Sequence, residues 1–171
     1  MGDEKLVQLD VLGVRRQAPS DQVVVLLLDL DGHRLLPIVV GVAEGSSIAA
    51  AQSGISAPRP MTHDLLVSVV KASGRSVVQA EVVSLVDGVF HAVLVLDNGV
   101  RVDSRASDAI AVAVRTGSPV LCVPAVLEEA GLEVEQREPE TEVQEFRAFL
   151  DTVSADDFGS EGDDPQSRPP S

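Results

Sequence analysis

Three dipeptides with glycine in second place punctuate the apolar part of this chain and predict tight β-hairpin turns. They are Asp31-Gly32, Asp87-Gly88 and Asn98-Gly99, and each lies between runs of strand length that are rich in valine and leucine. The turns that join adjacent antiparallel strands favour such dipeptides, because both central residues take positive φ angles. The pattern therefore predicts a largely antiparallel β-sheet.

Helix signals follow the strands at four places. The predicted helices span residues 43–53, 64–73, 107–116 and 124–131. Glycine stands at or just after the end of each helix, where it often provides the left-handed residue that closes it. Thr62 is predicted to cap the second helix and Ser107 the third. Strands and helices together predict an α+β fold, with a mixed or antiparallel sheet and helices packed on it.

The order of these elements contains a weak internal repeat. The segments that start at Leu28 and at Leu94 both run through a strand, a glycine turn, a second strand and a helix. A duplicated β-rich unit of hairpin, strand and helix accounts for this order. Chance similarity between two hairpin–helix units accounts for it about as well.

The apolar residues are almost all aliphatic: 44% of the chain is hydrophobic but only 2% is aromatic. A β-branched aliphatic core is typical of a sheet packed on helices. The single cysteine, Cys122, excludes a disulfide framework. No apolar run has the length of a membrane span, and the first residues lack the basic-then-apolar order of a signal peptide. We therefore expect a cytoplasmic protein without membrane contact.

The formal net charge of −14 is divided unevenly along the chain. Residues 1–132 contain 15 acidic and 10 basic side chains, whereas residues 133–171 contain 12 acidic and 3 basic ones. We predict a folded domain over residues 1–132, an acidic linker with a short amphipathic helix over 133–153, and a disordered acidic tail over 154–171. The apolar stripe of the linker helix is Val143, Phe146, Leu150 and Val153. The folded part lacks the basic stripe that marks a dedicated duplex-binding protein.

Two helix beginnings carry more polar groups than a helix needs in order to fold. Residues 59–66 read Arg-Pro-Met-Thr-His-Asp-Leu-Leu, and residues 103–110 read Asp-Ser-Arg-Ala-Ser-Asp-Ala-Ile. A helix start requires one capping side chain and is stabilised by one acid near its positive end. The surplus of acids, bases and hydroxyls indicates a functional site at these two junctions.

These segments resemble the bifunctional nuclease domain family, whose members are proposed to cut both DNA and RNA. The matching pieces are Thr-His-Asp-Leu-Leu at 62–66 and Ser-Asp-Ala-Ile-Ala at 107–111, together with residues 36–41, 119–120 and 126–131. The resemblance extends over about residues 4–132. It departs from the family pattern at Gly45 and Ala106, where the family usually has Ala and Pro. It implies a nuclease whose substrate is nucleic acid, without assigning the residues that act.

The residues themselves suggest how a phosphodiester bond could be cut. Such hydrolysis needs stabilised phosphate charge and an activated water, and carboxylates that hold Mg²⁺ or Mn²⁺ provide both. Acids at separate strand-to-helix junctions can meet in one pocket. The predicted metal ligands are Glu44, Asp103 and Asp108, the predicted catalytic residues are His63, Asp64, Asp103 and Asp108, and the predicted phosphate-binding residues are Arg59 and Arg105.

A structural interpretation of the same residues stays open. An acid in a first helical turn stabilises the helix by ~0.3–1 kcal/mol on its own, and Arg105 can simply pair with Asp103 or Asp108. No Gly-x-Ser-x-Gly motif is present, which disfavours a serine nucleophile. The alternative function is a non-catalytic regulatory or protein-interaction module of the same fold. We also expect a homodimer or larger homo-oligomer, because Pro37 marks an edge strand and the aliphatic faces exceed what one small sheet can cover.

Overall fold

The computed structural model describes residues 5–31 and 33–134, which contain eight strands and four helices. The strands are β1 (Val7–Gln17), β2 (Gln22–Asp29), β3 (Arg34–Val40), β4 (Val77–Val86), β5 (Val89–Leu96), β6 (Arg101–Arg105), β7 (Val120–Cys122) and β8 (Leu132–Glu133). The helices are α1 (Val42–Gln52), α2 (Thr62–Ala72), α3 (Ala106–Thr116) and α4 (Pro124–Ala130).

One mixed sheet contains all eight strands, in the order β6-β5-β4-β7-β1-β2-β3-β8. Every neighbouring pair is antiparallel except β4 and β7, which are parallel. The predicted α+β class is confirmed. The turn between β4 and β5 takes the expected left-handed form, with φ of 51° at Asp87 and 77° at Gly88. Both β4–β5 and β5–β6 pair as hairpins around their glycine turns.

The sheet order follows the internal repeat of the sequence. Strands β1, β2 and β3 form one antiparallel meander that leads into α1, and β4, β5 and β6 form another that leads into α3. Strand β7 lies between the two meanders and joins β4 to β1. The two junctions from strand to helix, β3 to α1 and β6 to α3, therefore occupy equivalent places in the two halves.

Helix α3 is the centre of the core. Seven of its 11 residues are buried, and it packs against α1, α2, β4 and β5. Its buried residues include Ala109, Ala111 and Ala113, whose small side chains allow neighbouring elements to approach closely. The largest fully buried side chains of the core are aliphatic, as the composition predicts: Leu27, Leu36, Ile38 and Ile48, with Ile110 of α3 itself.

Close packing also explains the glycine at position 45. Gly45 lies in α1, and a Cβ atom at this position would collide with the Val23 side chain of β2. The backbone φ of Gly45 is unremarkable, so the requirement for glycine there is steric. An alanine at this site needs a wider spacing between α1 and the sheet than this chain has.

Both predicted helix caps are wrong by one or two residues. Helix α2 begins at Thr62 itself, and its N-cap is Met61, whose backbone N–H donates to Asp64 Oδ2 at 2.9 Å. Helix α3 begins at Ala106 with Arg105 as N-cap, so Ser107 lies inside the first turn, where it is buried. In α2 the carboxylate of Asp64, at the third helical position, accepts from the N-cap N–H, so a capping threonine is not needed.

The end of the described chain adds a strand to the sheet. Strand β8 pairs with Arg34 and Leu35 of β3, so Glu133, the first residue of the predicted linker, belongs to the sheet. The rest of β3, including Pro37, has no partner on that side among the described residues. The predicted amphipathic stripe and the predicted tail lie outside the described residues. None of the helices in residues 5–31 and 33–134 combines the length and apolar character that crossing a membrane requires.

Candidate functional site

Polar side chains from α1, α2, α3 and the end of β6 meet beside the core helix. Residues three, four or seven apart share one side of a helix, which explains the pairs contributed by α1 and α3, whereas the two residues from α2 are adjacent in its first turn. Helix α1 provides Glu44 and Ser47, the first turn of α2 provides His63 and Asp64, and α3 provides Asp108 and Arg115, while Arg105 ends β6. We call these seven residues the polar network, because each is hydrogen-bonded to another member.

His63 is the centre of the polar network, and its side chain is only 11% exposed. Its Nδ1 lies 2.7 Å from Ser47 Oγ, and its Nε2 lies 2.8 Å from Asp108 Oδ1. Partial burial alone would raise the pKa of Asp108, but hydrogen bonds from Arg105 and His63 outweigh it and hold this pKa below its ordinary value of 3.8. The ionised carboxylate can only accept, so Nε2 of His63 carries a proton and donates it.

The other ring nitrogen, Nδ1, faces the Ser47 hydroxyl, which Arg115 also contacts. Arg115 Nη2 donates to Ser47 Oγ at 2.9 Å, and an arginine has no acceptor atom. The Ser47 hydroxyl proton is thus available for the Nδ1 atom of His63. The imidazole can therefore donate from Nε2 to Asp108 and accept at Nδ1 from the Ser47 hydroxyl.

Arg115 of α3 is hydrogen-bonded to both of the other helices of the polar network, and its side chain is mostly buried, with 11% exposed. Its Nε donates to Asp64 Oδ1 at 2.7 Å on α2, and its Nη2 donates to the Ser47 carbonyl oxygen at 3.2 Å on α1. The hydrogen bond from Arg115, helped by the Met61 backbone N–H, lowers the pKa of Asp64 below 3.8. Asp64 therefore remains ionised and holds Arg115 in place.

Arg105 lies at the exposed end of the polar network and joins two acids from different helices. Its Nε donates to Asp108 Oδ2 at 2.7 Å, and its Nη2 donates to Glu44 Oε1 at 3.2 Å. The Glu44 carboxylate packs so closely on Gly41 that a Cβ there would collide with it. A guanidinium has five N–H donors, and these two bonds leave three of them for another anion. The side chain is 66% exposed, so those donors are accessible.

The residues predicted to hold a metal do not form a three-ligand site. Glu44 and Asp108 both bind Arg105, whereas Asp103 is exposed in the middle of β6, opposite Val93. Across residues 5–31 and 33–134, no three His, Cys, Asp or Glu side chains are grouped so that they could share a metal ion. The donor set around Arg105 therefore does not fit the predicted Mg²⁺ or Mn²⁺ centre.

The structure brings most of the sequence-predicted residues together, but not all of them. Glu44, His63, Asp64, Arg105 and Asp108 belong to the polar network. Asp103 and Arg59 do not: Arg59 is exposed in the loop before α2, and neither side chain makes a hydrogen bond to another described residue. The pairing of Arg105 with Asp108 is one of the two pairings that the structural interpretation allows.

Two members of the polar network were missed by the sequence argument. Ser47 lies one turn after Glu44 on α1, and Arg115 lies two turns after Asp108 on α3. That spacing was available as a signal, because it puts each residue on the same helix side as a residue already singled out. The sequence has no Gly-x-Ser-x-Gly motif, which disfavours a serine in the site. In the structure, however, Ser47, His63 and Asp108 form one hydrogen-bonded chain.

Comparison with known proteins agrees with these features. The sequence model of the family described as "Bifunctional nuclease domain" matches residues 25–135, which is more than half of the chain. The chain is also 40% identical over 159 residues to the uncharacterized proteins MT1877 and Rv1829 from two strains of Mycobacterium tuberculosis, covering 88% of this chain and 97% of each relative. The protein therefore belongs to the bifunctional nuclease domain family.

Proposed function

We propose that this protein is a nuclease that hydrolyses phosphodiester bonds of DNA, RNA or both with little sequence preference, and that the polar network is its active site. One observation carries the proposal: the His63 imidazole is held between a hydroxyl and a carboxylate, next to an accessible arginine. Membership in the family supports the same conclusion. A held imidazole beside a phosphate-binding group is a recurrent arrangement for acid–base chemistry on phosphate esters.

Arg105 is the phosphate-binding residue in this proposal. Its remaining N–H donors can bind non-bridging phosphate oxygens in a forked geometry, and its charge stabilises the negative charge that develops during hydrolysis. Asp108 and Glu44 hold the guanidinium in a fixed orientation. They are positioning residues, since they act on the substrate through Arg105.

His63 is the general acid or base. Asp108 accepts from Nε2 and thereby fixes the ring orientation and tautomer. Proton transfer at Nδ1 passes through the Ser47 hydroxyl, which lies 2.7 Å away. Arg115, which is itself bound to Asp64, fixes the position of Ser47 by donating to both the hydroxyl and the carbonyl oxygen of that residue.

Dependence on Mg²⁺ or Mn²⁺ stays a prediction. The roles of Arg105 and His63 are proposed without a metal, because Arg105 engages both of the carboxylates that lie close together. Cleavage measured in EDTA and in each metal separately decides the question.

The test compares two matched substitutions in the purified protein, Asp108→Asn and Asp97→Asn. Asp97 is an exposed acid in a turn, and its carboxylate lies 3.9 Å from Arg75, outside the polar network. We expect Asp108→Asn to reduce the cleavage rate of labelled DNA and RNA oligonucleotides at least about tenfold, and Asp97→Asn to leave it unchanged. Circular dichroism establishes that both variants are folded. Equal cleavage by the two variants, or cleavage no greater than in a preparation from empty vector, contradicts the proposal.

The non-catalytic alternative also has an observation in its favour. No fully inaccessible side-chain nitrogen or oxygen in the described residues lacks a hydrogen-bond partner, so the buried part of the polar network needs no ligand in order to fix three helices. A well-folded wild-type protein without cleavage above the empty-vector level, in every metal condition, would favour this alternative.

We further propose a homo-oligomer that forms through the exposed aliphatic side chains of β3 and β8. Val39 on β3 and Leu132 on β8 are both more than half exposed, and most of the β3 edge is open among the described residues. Exposed aliphatic side chains next to an open strand edge favour association. Sedimentation should show a species larger than the 18.0 kDa chain, and a lone 18.0 kDa species contradicts this proposal.

A further inference from the structure

A cleft of about 320 Å³ lies next to Arg105, where the two equivalent strand-to-helix junctions approach each other. The end of β3 up to Gly41 lines one side, and the Gly88–Phe90 turn and Arg105–Ser107 line the other. Gly41 is the N-cap of α1, and Arg105 is the N-cap of α3. The N-termini of two helices, each 11 residues long, therefore border the same cleft.

Neither helix start is capped by a side chain. Gly41 has none to offer, and the Arg105 side chain makes no bond to the backbone of its helix. The first backbone N–H groups of a helix lack acceptors within it and carry its positive partial charge. In α3 these donors belong to Ala106 and Ser107, which both line the cleft. The cleft is therefore suited to an anion on its α3 side.

Ser107 provides an independent observation that points to a ligand. The residue is only 8% exposed, and its hydroxyl makes no hydrogen bond to any described residue. The other buried polar residues of the described chain, Asp29, His63 and Glu81, are all hydrogen-bonded. Buried polar groups are nearly always paired. Since no fully inaccessible polar atom is left unpaired, the Ser107 hydroxyl reaches solvent, and the cleft that it lines is the opening.

The charged side chain that lines the cleft is a cation, Arg105. Arg105 lines it with three N–H donors still free, whereas the carboxylates of Glu44 and Asp108 do not line it and are bound to that arginine. The wall opposite consists of backbone and of apolar side chains such as Val39 and Phe90. Among the described residues no acidic side chain lines the cleft, and the two nearby carboxylates, Glu44 and Asp108, are both paired with Arg105.

We propose that this cleft binds a phosphate group, held by the Ser107 hydroxyl, the first backbone N–H groups of α3 and the Arg105 guanidinium. The ligand is the phosphate of a nucleotide, and this part of the inference rests on the proposed nuclease function. The same groups would recognise free phosphate. Ser107 binds the ligand directly, in a role distinct from the helix cap that the sequence suggested.

The test measures binding rather than cleavage. ¹H–¹⁵N NMR spectra of the full chain are recorded while inorganic phosphate, 5′-AMP or adenosine is added. We expect saturable shifts of the amide signals of Ala106 and Ser107 with AMP, and none with adenosine, which has no phosphate. Similar binding of inorganic phosphate would identify a general phosphate site, and binding of AMP alone a nucleotide-phosphate site; both results support the proposal. Absence of saturable shifts with both phosphate-containing probes overturns it.

Two matched serine substitutions separate binding from folding. Ser107→Ala should weaken AMP binding about fivefold, the effect of losing one hydrogen bond. It should not lower the free energy of unfolding, because the hydroxyl has no hydrogen-bond partner among the described residues. Ser68→Ala removes a hydroxyl from the exposed side of α2, where it donates to the Asp64 carbonyl oxygen, and should leave AMP binding unchanged. Equal AMP affinity of wild type and Ser107→Ala overturns the proposal.

The outcomes also distinguish this site from the nuclease proposal. Binding that depends on Ser107 in a protein without cleavage retains the phosphate site and rejects the nuclease. Cleavage that depends on Asp108, with no phosphate binding and no effect of Ser107→Ala, retains the nuclease and rejects the site.

Discussion

Replacing Arg115 by methionine tests whether the polar network holds the three helices together. Methionine keeps much of the apolar stem of arginine but has no N–H donors. The substitution removes the bonds from Arg115 to Ser47 Oγ, to the Ser47 carbonyl oxygen and to Asp64, at 2.9, 3.2 and 2.7 Å. All three join α3 to a neighbouring helix.

The expected loss of stability follows from the surroundings of the partners. The two bonds to Ser47 are partly buried, and bonds of this kind contribute about 1 kcal/mol each. The Asp64 carboxylate is exposed and regains water, so losing that bond adds little. We expect Arg115→Met to lower the free energy of unfolding by about 2 kcal/mol, which corresponds to a decrease in Tm of about 4–8 °C for a chain of this size.

Urea unfolding, followed by circular dichroism, measures the effect. Arg75→Met is the matched control, because Arg75 is about half exposed and lies 3.9 Å from Asp97. Its loss should be below about 0.5 kcal/mol. A double-mutant cycle between Arg115→Met and Ser47→Ala should show a coupling of about 1 kcal/mol. If Arg115→Met is no more destabilising than Arg75→Met, the polar network does not hold the helices and the reasoning fails.

Three further predictions concern residues outside the polar network. Gly45→Ala should destabilise the protein by about 1–3 kcal/mol, measured by urea unfolding, because its Cβ collides with Val23; a neutral effect would refute the packing argument. The hydrogen bond from Arg101 lowers the pKa of the buried Glu81 below its ordinary value of 4.5, so its stabilising effect is complete above that pH and is lost as the pH falls through the lowered pKa. The stability difference between wild type and Glu81→Gln should therefore shrink below pH 4.5, and a constant difference would contradict it. Burial raises the pKa of the Cys122 thiol to about 11, so iodoacetamide at pH 8 should label it much faster in urea than in the native protein.

The sheet could be predicted because its signals are local. Asp87-Gly88 needs two positive φ angles, and those angles specify a hairpin wherever apolar runs flank the dipeptide. The central position of α3 was not predictable to the same degree. Its Ala-rich stretch from 109 to 113 is buried on nearly all sides. Several helices of this chain have an apolar face, and their sequences do not indicate which one lies at the centre of the core.

The sequence predicts which residues form the candidate site better than it predicts how they are arranged. His63 and Asp108 exceed what their helix starts require, and Glu44 is an acid at a third strand-to-helix junction. Glu44 and Asp108 both bind Arg105 instead of a metal, because α1 and α3 lie close together although they are far apart in the sequence. No local sequence pattern predicts that proximity. Ser107 shows the same limit, because a serine in a first turn suggests a cap until the structure shows that its hydroxyl lines a cleft.

The most direct test of the central claim compares two histidine substitutions by the cleavage rate of a labelled oligonucleotide. His63 lies in the polar network, whereas His91 is an exposed residue of β5. With both variants folded by circular dichroism, His63→Gln should cleave at least about tenfold more slowly than wild type, and His91→Gln should match wild type. Wild-type cleavage by folded His63→Gln would contradict the claim that this imidazole performs the proton transfer.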